Sequence, residues 1–328
     1  MRSIHKVVAT IHYLSEEMAK VRSFFPGAVF VQVDPRDTET LLQVLTDADV
    51  ALVSGDLDDR FLGNNQLKWI HCDHAGLAKS ARPALFEMGI LLSGAAGRSS
   101  PVLAEHTIYF MLAACYHTRE LIKAQDSHHW GVPGQNTWRG LYGRTAGLVG
   151  MGNNGKMLAE RLHAMGMQLI SWDRAYQDGF DYVEQLISSE SDALENLVSR
   201  SDFICLNLAL TDHTYHLFDR VMFTHVKPGA VLVNMSRGAL VDTAALMEAL
   251  DQGILSCAGL DVFEEEPLPA EHPLWNYKNV YITPHVTPQV PDRTGKCIEI
   301  LEENVRRYLA GHPLLNQVAP EDVYHIHL

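Results

Sequence analysis

Residues 147–174 read GLVGMGNNGKMLAERLHAMGMQLISWDR, and this stretch decides the fold class of the chain. A short apolar run ends at a glycine, a helical pattern follows, and a second apolar run closes on Asp173. Three glycines, Gly150, Gly152 and Gly155, form the pattern G-x-G-x-x-G between the first strand and the helix. A strand, a helix and a strand in this order predict a βαβ unit within a parallel sheet.

The spacing inside this unit predicts a dinucleotide site. Gly150 permits the tight turn, Gly152 lets the backbone approach a pyrophosphate, and Gly155 allows the helix to pack closely on the strand. The helix N-terminus supplies N–H groups and positive partial charge to the phosphates. Asp173 stands where a carboxylate binds the adenosine ribose, which favours NAD(H) because a carboxylate repels a 2′-phosphate. Arg174 beside it weakens that preference, so NADP(H) is kept as the less favoured cofactor.

The first strand-like run of this domain lies at 145–150. Five more follow it, at 168–172, 203–208, 230–234, 257–262 and 279–283. Six strands with helices between them predict a doubly wound Rossmann domain over residues 101–288. One long helix is expected at its start, with Ser100 as N-cap, Pro101 as the first helical residue and apolar periodicity through Ile122.

The first hundred residues alternate in the same way. Strand-like runs lie at 6–10, 28–33, 50–54, 67–72 and 90–93, and helical patterns include 15–25 and 37–48. A final helix is expected over 292–311. The fold class is therefore predicted as α/β with two doubly wound parallel-sheet domains. The second is a discontinuous, flavodoxin-like domain over 1–100 plus 289–328.

Composition excludes several functional classes. The net charge of −14 argues against nucleic acid as a partner, because phosphate contacts need a basic face. No run of eighteen apolar residues is present, so no membrane span is expected, and the N-terminus does not read as a signal peptide. The five cysteines lack pair spacing, which predicts reduced, mostly buried thiols in the cytoplasm.

Four polar residues lie at or just past predicted strand ends: Arg237, Asp261, Glu266 and His285. Ligands bind beyond the carboxyl ends of strands in open α/β sheets. A histidine can give a proton to a forming alkoxide, and a carboxylate beside it favours its protonated form. An arginine can hold a carboxylate and polarise a keto oxygen. The set suits hydride reduction of a 2-keto acid, with Asp261 nearer the nicotinamide end of the cofactor.

Four stretches, GLVGMGNNG, NMSRGALVD, GLDVFEEEPL and ITPHV, resemble the NAD-dependent D-isomer-specific 2-hydroxyacid dehydrogenase family. The resemblance covers nearly the whole chain. It implies that Arg237 binds substrate and that Glu266, directly before Pro267, partners His285, the general acid/base. Glu264 and Glu265 are then expected to be solvated neighbours. The discontinuous domain is expected to bind the substrate, and the Rossmann domain the NAD.

The resemblance also implies the cofactor contacts. The segment NLALTDHT (207–214) is similar to one that lines the cofactor, with Ala209 where proline is usual, and Asn153 and Asn154 replace an arginine–isoleucine pair. The expected cofactor-binding residues are Gly150, Gly152, Asn153, Asn154, Gly155, Asp173, Arg174, Leu208, Thr214, Met235, Arg237, Asp261 and His285.

At the substrate end, HCDHAGLAKS (71–80) is similar to a turn whose N–H groups bind the substrate carboxylate. Ala75, Gly76 and Leu77 take that role, and Arg98 is a candidate for a polar substituent, with an exposed loop position as the alternative. The roles of two further side chains are left open, since Lys79 and His12 either reach the pocket or lie in solvent. His71 and His74 are not expected to bind a metal ion.

The first function predicted is NAD-dependent reduction of a small 2-keto acid, D-specific, with glyoxylate or hydroxypyruvate as first guesses. The alternative from another class is an NAD-sensing, corepressor-like binding protein. Two related activities are also weighed. Glu266 argues against formate oxidation, where a glutamine is usual, and phosphite oxidation stays open through Lys79. The apolar surface of the long helix predicts a homodimer, with packing within its own chain as the alternative.

Overall fold

The computed structural model describes residues 2–63, 66–287 and 291–325. It divides into two compact units, one of Met1–Ser99 with Gln289–Leu328 and the other of Ser100–Pro288. Each unit is built on one parallel sheet with helices, so the predicted α/β fold class is confirmed.

The helices in chain order are α1 (Ser15–Ser23), α2 (Thr38–Leu45), α3 (Pro83–Glu87), α4 (Ser100–Cys115), α5 (Thr118–Asp126), α6 (Asn153–Ala164), α7 (Ala193–Arg200), α8 (Arg220–His225), α9 (Thr243–Asp251) and α10 (Arg293–Ala310). Short 3₁₀ turns lie at Asp59–Leu62, Gln135–Thr137, Gly238–Leu240, Pro273–Asn276 and Pro320–Asp322.

The first unit has a five-stranded sheet. Its strands are β1 (Lys6–Ala9), β2 (Val29–Gln32), β3 (Val50–Val53), β4 (Trp69–Cys72) and β5 (Leu91–Gly94). They are parallel and run in the order β2-β1-β3-β4-β5, which is the flavodoxin-like order. All five lie at the positions that the sequence predicted.

Every residue of β3 and β4 is buried, so both faces of these two strands are covered, which explains the unbroken apolar run VALV of β3. On one face, Trp69 stacks on Tyr308 of α10 with ring centroids 5.2 Å apart. The indole N–H of Trp69 donates to Ser93 Oγ at 2.8 Å, so its polar atom is satisfied. The C-terminal helix thus packs on a sheet formed by the N-terminal residues.

The second unit has a seven-stranded sheet. Its strands are β6 (Thr145–Val149), β7 (Gln168–Asp173), β8 (Val183–Ile187), β9 (Phe203–Leu206), β10 (Ala230–Asn234), β11 (Leu255–Leu260) and β12 (Val280–Ile282). The order is β12-β11-β10-β9-β6-β7-β8, all parallel. The first six strands have the Rossmann order, and β12 extends the sheet.

Strand β8 was missed by the sequence prediction, which expected six strands. Its sequence, VEQLI, has two polar residues in five, and only Val183 is fully buried. It pairs with β7 alone at the edge of the sheet. An edge strand needs little apolar surface, so its pattern is weak.

The single long helix was also predicted wrongly. Helix α4 ends at Cys115, and α5 starts at Thr118 after His117, whose φ is 45°. The left-handed residue redirects the chain although the apolar pattern continues. Helix α4 includes Ser100, which the sequence placed one residue outside as the N-cap. No residue of α5 is buried, so its leucine and isoleucine face outward.

All five cysteines are free and buried, as the sequence predicted. Within the described residues, no helix is long and apolar enough to span a membrane.

Candidate active site

The glycine loop joins β6 to α6. Gly150 has φ 102°, and a Cβ there would lie 2.9 Å from Leu208 Cδ2. A Cβ on Gly155 would lie 2.1 Å from the carbonyl oxygen of Gly150, so the helix can approach the loop only without a side chain. A Cβ on Gly152, in contrast, would meet nothing within 4 Å. The chain's own packing requires glycine at positions 150 and 155. Gly152, in contrast, borders space that a bound pyrophosphate would fill.

Asp173 closes β7 and lies against this loop. Its Oδ2 accepts the N–H of Met151 at 2.6 Å, and Oδ1 accepts the N–H of Arg174 at 2.6 Å. The carboxylate is therefore held at the carboxyl end of β7, where the second strand of a Rossmann fold presents an acid to ribose hydroxyls. Loop, helix terminus and acid together fit a dinucleotide.

Of the other expected cofactor residues, two lie at the glycine loop and three are engaged in contacts within the chain. Asn153 is exposed at the start of α6, and Leu208 borders the glycine turn. Asn154 is tied to α4, because its Oδ1 accepts the hydroxyl of Ser100 at 2.5 Å. Thr214 shapes its own loop by donating to Ala209 O and accepting from the Thr211 N–H, both at 2.8 Å. Met235 is a buried member of the apolar core.

Arg237 follows the end of β10 in a turn organised by Asn234. The buried amide of Asn234 donates to Arg237 O at 2.9 Å and accepts the N–H of Ser236 at 3.1 Å. The hydroxyl of Ser236 donates to Leu206 O at 2.8 Å on the neighbouring strand. These bonds fix the backbone from which the half-buried Arg237 side chain projects at the carboxyl end of the sheet.

A close backbone contact joins this turn to the next one. A Cβ on Gly238 would lie 1.8 Å from the carbonyl carbon of Phe263. Only glycine therefore lets the turn after β10 touch the turn after β11. The contact brings Arg237 near Glu266, and its charge acts on the carboxyl there.

The centre of the site is a histidine–glutamate pair. His285 Nδ1 lies 2.7 Å from Glu266 Oε2, and Glu266 Oε1 accepts the N–H of Phe263 at 2.9 Å. The histidine side chain is 39% exposed and the glutamate 35%. Solvent, and therefore a ligand, can reach both groups.

Each partner stabilises the charged form of the other. The hydrogen bond to Glu266 raises the pKa of His285, against the opposing effects of burial and the Arg237 charge. Burial alone would raise the pKa of Glu266, but hydrogen bonds from His285 and Phe263 and the nearby cations leave it below the usual value. The imidazolium–carboxylate form is the one this geometry favours.

His285 is held by a polar cluster of which the sequence prediction included only one member, Asp261. Asp261 is 1% exposed, and its Oδ1 accepts the Thr283 hydroxyl at 2.5 Å and the Val286 N–H at 3.2 Å. His106 on α4 contacts the hydroxyls of Thr283 and Thr287. The sequence signal for His106 was weak, a histidine between Glu105 and Thr107 in a mostly apolar helix. Asp261, expected at the nicotinamide end, uses these bonds to fix residues 283–287 around His285.

Glu264 is exposed, as expected, and it is also bonded to two neighbours. Its Oε1 lies 2.6 Å from His216 Nε2, and its Oε2 accepts the N–H of Thr243 at 2.9 Å. It ties the turn after β11 to α9. Glu265 is exposed as expected.

The expected substrate turn lies in the first unit, after β4. Ala75 and Gly76 are exposed, Gly76 has φ 78°, and Leu77 is buried. His74 supports the turn, with Nε2 2.9 Å from Gly55 O. Arg98 is half-buried, not an exposed loop residue, and its Nη1 donates to Asp73 O.

The remaining polar candidates separate by burial. His12 and Lys79 are exposed. His71 is buried with Nδ1 2.9 Å from Ser93 Oγ, and burial lowers its pKa to about 3. Across the described part of the chain, no group of three His, Cys, Asp or Glu side chains is placed to hold a metal ion.

Comparison with known proteins supports one family. A family model described as D-isomer specific 2-hydroxyacid dehydrogenase, NAD binding domain, matches residues 108–287. A glyoxylate reductase of Aeropyrum pernix is 30% identical, with 97% of each chain covered. A glyoxylate/hydroxypyruvate reductase B of Serratia proteamaculans is 30% identical, over 92% of this chain and 94% of that protein.

Solved structures agree. An NADPH-dependent glyoxylate/hydroxypyruvate reductase from Sinorhizobium meliloti, in complex with NADP and sulfate, superposes with a TM-score of 0.79 at 27% identity, covering 98% of this chain and 100% of that one. A D-isomer specific 2-hydroxyacid dehydrogenase from Xanthobacter autotrophicus, in complex with NADPH and MES, has a TM-score of 0.79 at 26% identity, covering 97% and 99%. These relatives support an enzyme over the binding-protein alternative.

Proposed function

Because the chain belongs to the D-isomer-specific 2-hydroxyacid dehydrogenase family and is an oxidoreductase, we propose that it reduces a small 2-keto acid to the D-2-hydroxy acid. Glyoxylate and hydroxypyruvate are the first candidates, since relatives of similar length bear those names. The observation that carries the proposal is the Glu266–His285 pair with the Arg237 charge beside it.

Proton transfer is assigned to His285. A bound NADH would supply the hydride that the keto carbon receives. As that hydride arrives, negative charge grows on the keto oxygen, and a positioned imidazolium can give it a proton. Glu266 engages Nδ1, which leaves Nε2 as the nitrogen that transfers the proton. In the oxidative direction, neutral His285 takes the proton back.

Substrate binding is assigned to Arg237. Its guanidinium can hold the substrate carboxylate through two parallel hydrogen bonds and polarise the keto oxygen. The turn organised by Asn234 fixes the backbone of Arg237, which limits the reorganisation that binding requires. In the first unit, the exposed turn at Ala75 and Gly76 is the proposed substrate-binding turn.

The preferred cofactor is proposed to be NADH, and NADPH the weaker one. The Asp173 carboxylate at the end of β7 would repel a 2′-phosphate, while Arg174 next to it moderates that effect. Two related structures contain NADPH or NADP, so both cofactors belong in the test. In this proposal residues 101–288 bind the cofactor, and residues 1–100 with 289–328 bind the substrate.

The assay follows nicotinamide oxidation with NADH and with NADPH against glyoxylate, hydroxypyruvate, pyruvate and phenylpyruvate. Replacing His285→Ala should lower kcat/KM by about a hundredfold to ten-thousandfold, the usual contribution of general acid catalysis. His225→Ala, at the exposed end of α8, is the matched control and should behave as wild type. Tight NADH binding without turnover of any keto acid would contradict the proposal.

A homodimer is proposed for the assembly. Helices α4 and α5 and the short link between them expose four large apolar or aromatic side chains, each more than 40% accessible: Tyr109, Tyr116, Leu121 and Ile122. Apolar surface of this kind is typical of subunit contacts. A second copy of the chain is the proposed partner.

The cytoplasm is the proposed location, since five unpaired buried thiols suit a reducing compartment. The net charge of −14 makes a small acid, held by local cations, a more suitable partner than nucleic acid or an anionic membrane surface.

A further inference from the structure

Both ring nitrogens of His106 contact the backbone segment that carries His285. Nε2 lies 3.4 Å from the hydroxyl oxygen of Thr283, and Nδ1 contacts the hydroxyl of Thr287. These threonines lie two residues before and two residues after His285. One imidazole of helix α4 therefore bridges the two ends of residues 283–287, which we call the histidine segment.

The position of the His106 ring is set by packing that does not involve this segment. The ring stacks on Phe110, one turn further along α4, with ring centroids 4.8 Å apart. Phe110 is buried against β11, where a Cβ on Gly259 would lie 2.5 Å from the Phe110 Cγ. Phe110 can approach the strand this closely only because Gly259 has no side chain. The imidazole is thus placed by its own helix and by the sheet.

The hydrogen bonds assign the proton on this ring. The hydroxyl of Thr283 donates its one hydrogen to Asp261 Oδ1 at 2.5 Å, so it can only accept from His106, and Nε2 carries a hydrogen. Burial lowers the pKa of His106, although the charge of Asp261 opposes the effect, so the ring is neutral near pH 7. Nδ1 then accepts from the Thr287 hydroxyl. A directed chain of donors leads from Thr287 to the carboxylate of Asp261.

The histidine segment has to be held because the backbone at its centre is strained. His285 has φ 50°, which residues other than glycine rarely adopt. Its N–H donates to the carbonyls of Asp261 and Thr283, which holds the start and the centre of the segment. At the other end, the N–H of Thr287 lies a long 3.4 Å from Asp261 Oδ2. The bond between the Thr287 hydroxyl and His106 supplies a second attachment there.

Building on the proposed keto-acid reduction, we infer that His106 is a positioning residue, which holds the histidine segment so that the imidazole of His285 stays directed at Glu266. The inference rests on the proposed function, since His106 acts on the reaction only through His285. Without this support, the strained segment can relax and the 2.7 Å hydrogen bond between His285 and Glu266 is loosened.

The test compares His106→Phe with wild type in the keto-acid assay. Phenylalanine keeps a ring that can stack on Phe110 and removes both nitrogens. A neutral ring replaces a neutral ring, so the charges that act on His285 are unchanged. Those charges belong to Glu266, Arg237 and Asp261.

The expected effect is on the chemical step. In His106→Phe, kcat should fall about tenfold, the order of magnitude of one or two neutral hydrogen bonds, because proton transfer needs a correctly placed imidazole. The Kd for NADH and the KM for the keto acid should change by no more than about twofold, since His106 is assigned no contact with either ligand.

The pH profile distinguishes positioning from a general structural role. A loosened bond to Glu266 lets the raised pKa of His285 move back toward its ordinary value. The falling limb of kcat/KM for reduction should therefore move to lower pH in His106→Phe. Thr287→Val keeps the shape of the side chain and removes the hydroxyl, and it should move the limb in the same direction.

His163→Phe is the matched control. His163 is an exposed histidine in the last turn of α6, and its ring stacks on Tyr182 with centroids 4.0 Å apart. The same substitution is thus made on a stacked helical histidine away from the histidine segment. It should leave kcat, the pH profile and NADH binding as in wild type.

The outcomes keep the two claims apart. Wild-type kcat in His106→Phe, or a lowered kcat with an unmoved limb, would overturn the assignment of His106 and leave the proposed reduction standing. If His106→Phe does not fold, the same readouts on Thr287→Val decide. No turnover of any keto acid by wild type with either nicotinamide would overturn the reduction, and the assignment of His106 with it.

Discussion

At the residue scale, the properties of His285 are set by its neighbours. Glu266 hydrogen-bonds to Nδ1 of the His285 imidazole, and Asp261 fixes the backbone segment that carries this imidazole. The residue itself has φ 50°, a left-handed conformation that is unusual for a side chain of this size. Backbone bonds from its N–H to the carbonyls of Asp261 and Thr283, at 2.9 and 3.1 Å, hold it there.

The direction of the His285 pKa shift predicts a pH dependence. Because Glu266 raises this pKa, the protonated acid needed for reduction persists to higher pH than for an isolated histidine. Reduction should therefore fall as pH rises through the raised pKa, and oxidation of the hydroxy acid should rise through it. Glu266→Gln removes the charge. The falling limb of the reduction profile and the rising limb of the oxidation profile should therefore both move to lower pH when kcat/KM is measured against pH.

The shared movement of the two limbs is the internal control. A merely structural effect of Glu266→Gln would lower both rates without moving either limb. Unmoved limbs would show that Glu266 does not set the protonation of His285.

At the element scale, different glycines of the glycine loop are needed for stability and for cofactor binding. Gly155 faces the carbonyl of Gly150, whereas Gly152 faces open space. Gly155→Ala should lower the free energy of unfolding by about 1–3 kcal/mol, the usual cost of overpacking. Gly152→Ala should leave the thermal midpoint of the free protein unchanged and weaken NADH binding, because its methyl group would occupy the space proposed for the pyrophosphate.

Calorimetric melting and NADH titration of the two variants check this prediction. Comparable loss of stability in both variants would show that Gly152 is also required by internal packing. Unchanged NADH affinity in Gly152→Ala would remove this loop from the cofactor site.

Elements with strong local patterns were predicted well. The five strands of the first sheet and six of the second follow apolar runs, most of them buried, and their bounds differ from prediction by only a few residues. The two failures, β8 and the α4–α5 break, occur where burial is weak or where one residue redirects the chain. A left-handed His117 leaves no mark on hydrophobic periodicity, so no sequence pattern indicates it.

At the scale of the whole molecule, assembly is the property to measure. The exposed side chains of α4 and α5 predict a mass in solution of twice 36.6 kDa. Ile122→Glu places a charge in this surface and should shift the protein to the monomer, because desolvating an unpaired carboxylate opposes association. Light scattering after gel filtration gives both masses.

Val221→Glu on α8 is the matched control, since its side chain is also exposed, at 65%. It should leave the mass unchanged. A wild-type mass of 36.6 kDa at assay concentration would contradict the dimer, and a dimer that persists in Ile122→Glu would move the interface elsewhere.

Local sequence determined the parallel α/β class, the glycine loop and the four polar residues expected at strand ends. These features depend on short-range properties: alternation, apolar runs, turn residues and the order of elements along the chain. The pairing of His285 with Glu266 was expected from the chemistry of a histidine beside a carboxylate and from the resemblance of the motifs to a known family.

Tertiary structure alone decided which distant groups meet. It placed Gly238 against Phe263, His106 beside Thr287, and Asp73 beside Arg98 and the start of α10. Crossover connections bring the carboxyl ends of parallel strands to one edge of a sheet, so residues far apart in the chain become neighbours there. Burial and pKa depend on those neighbours, and no local pattern specifies them.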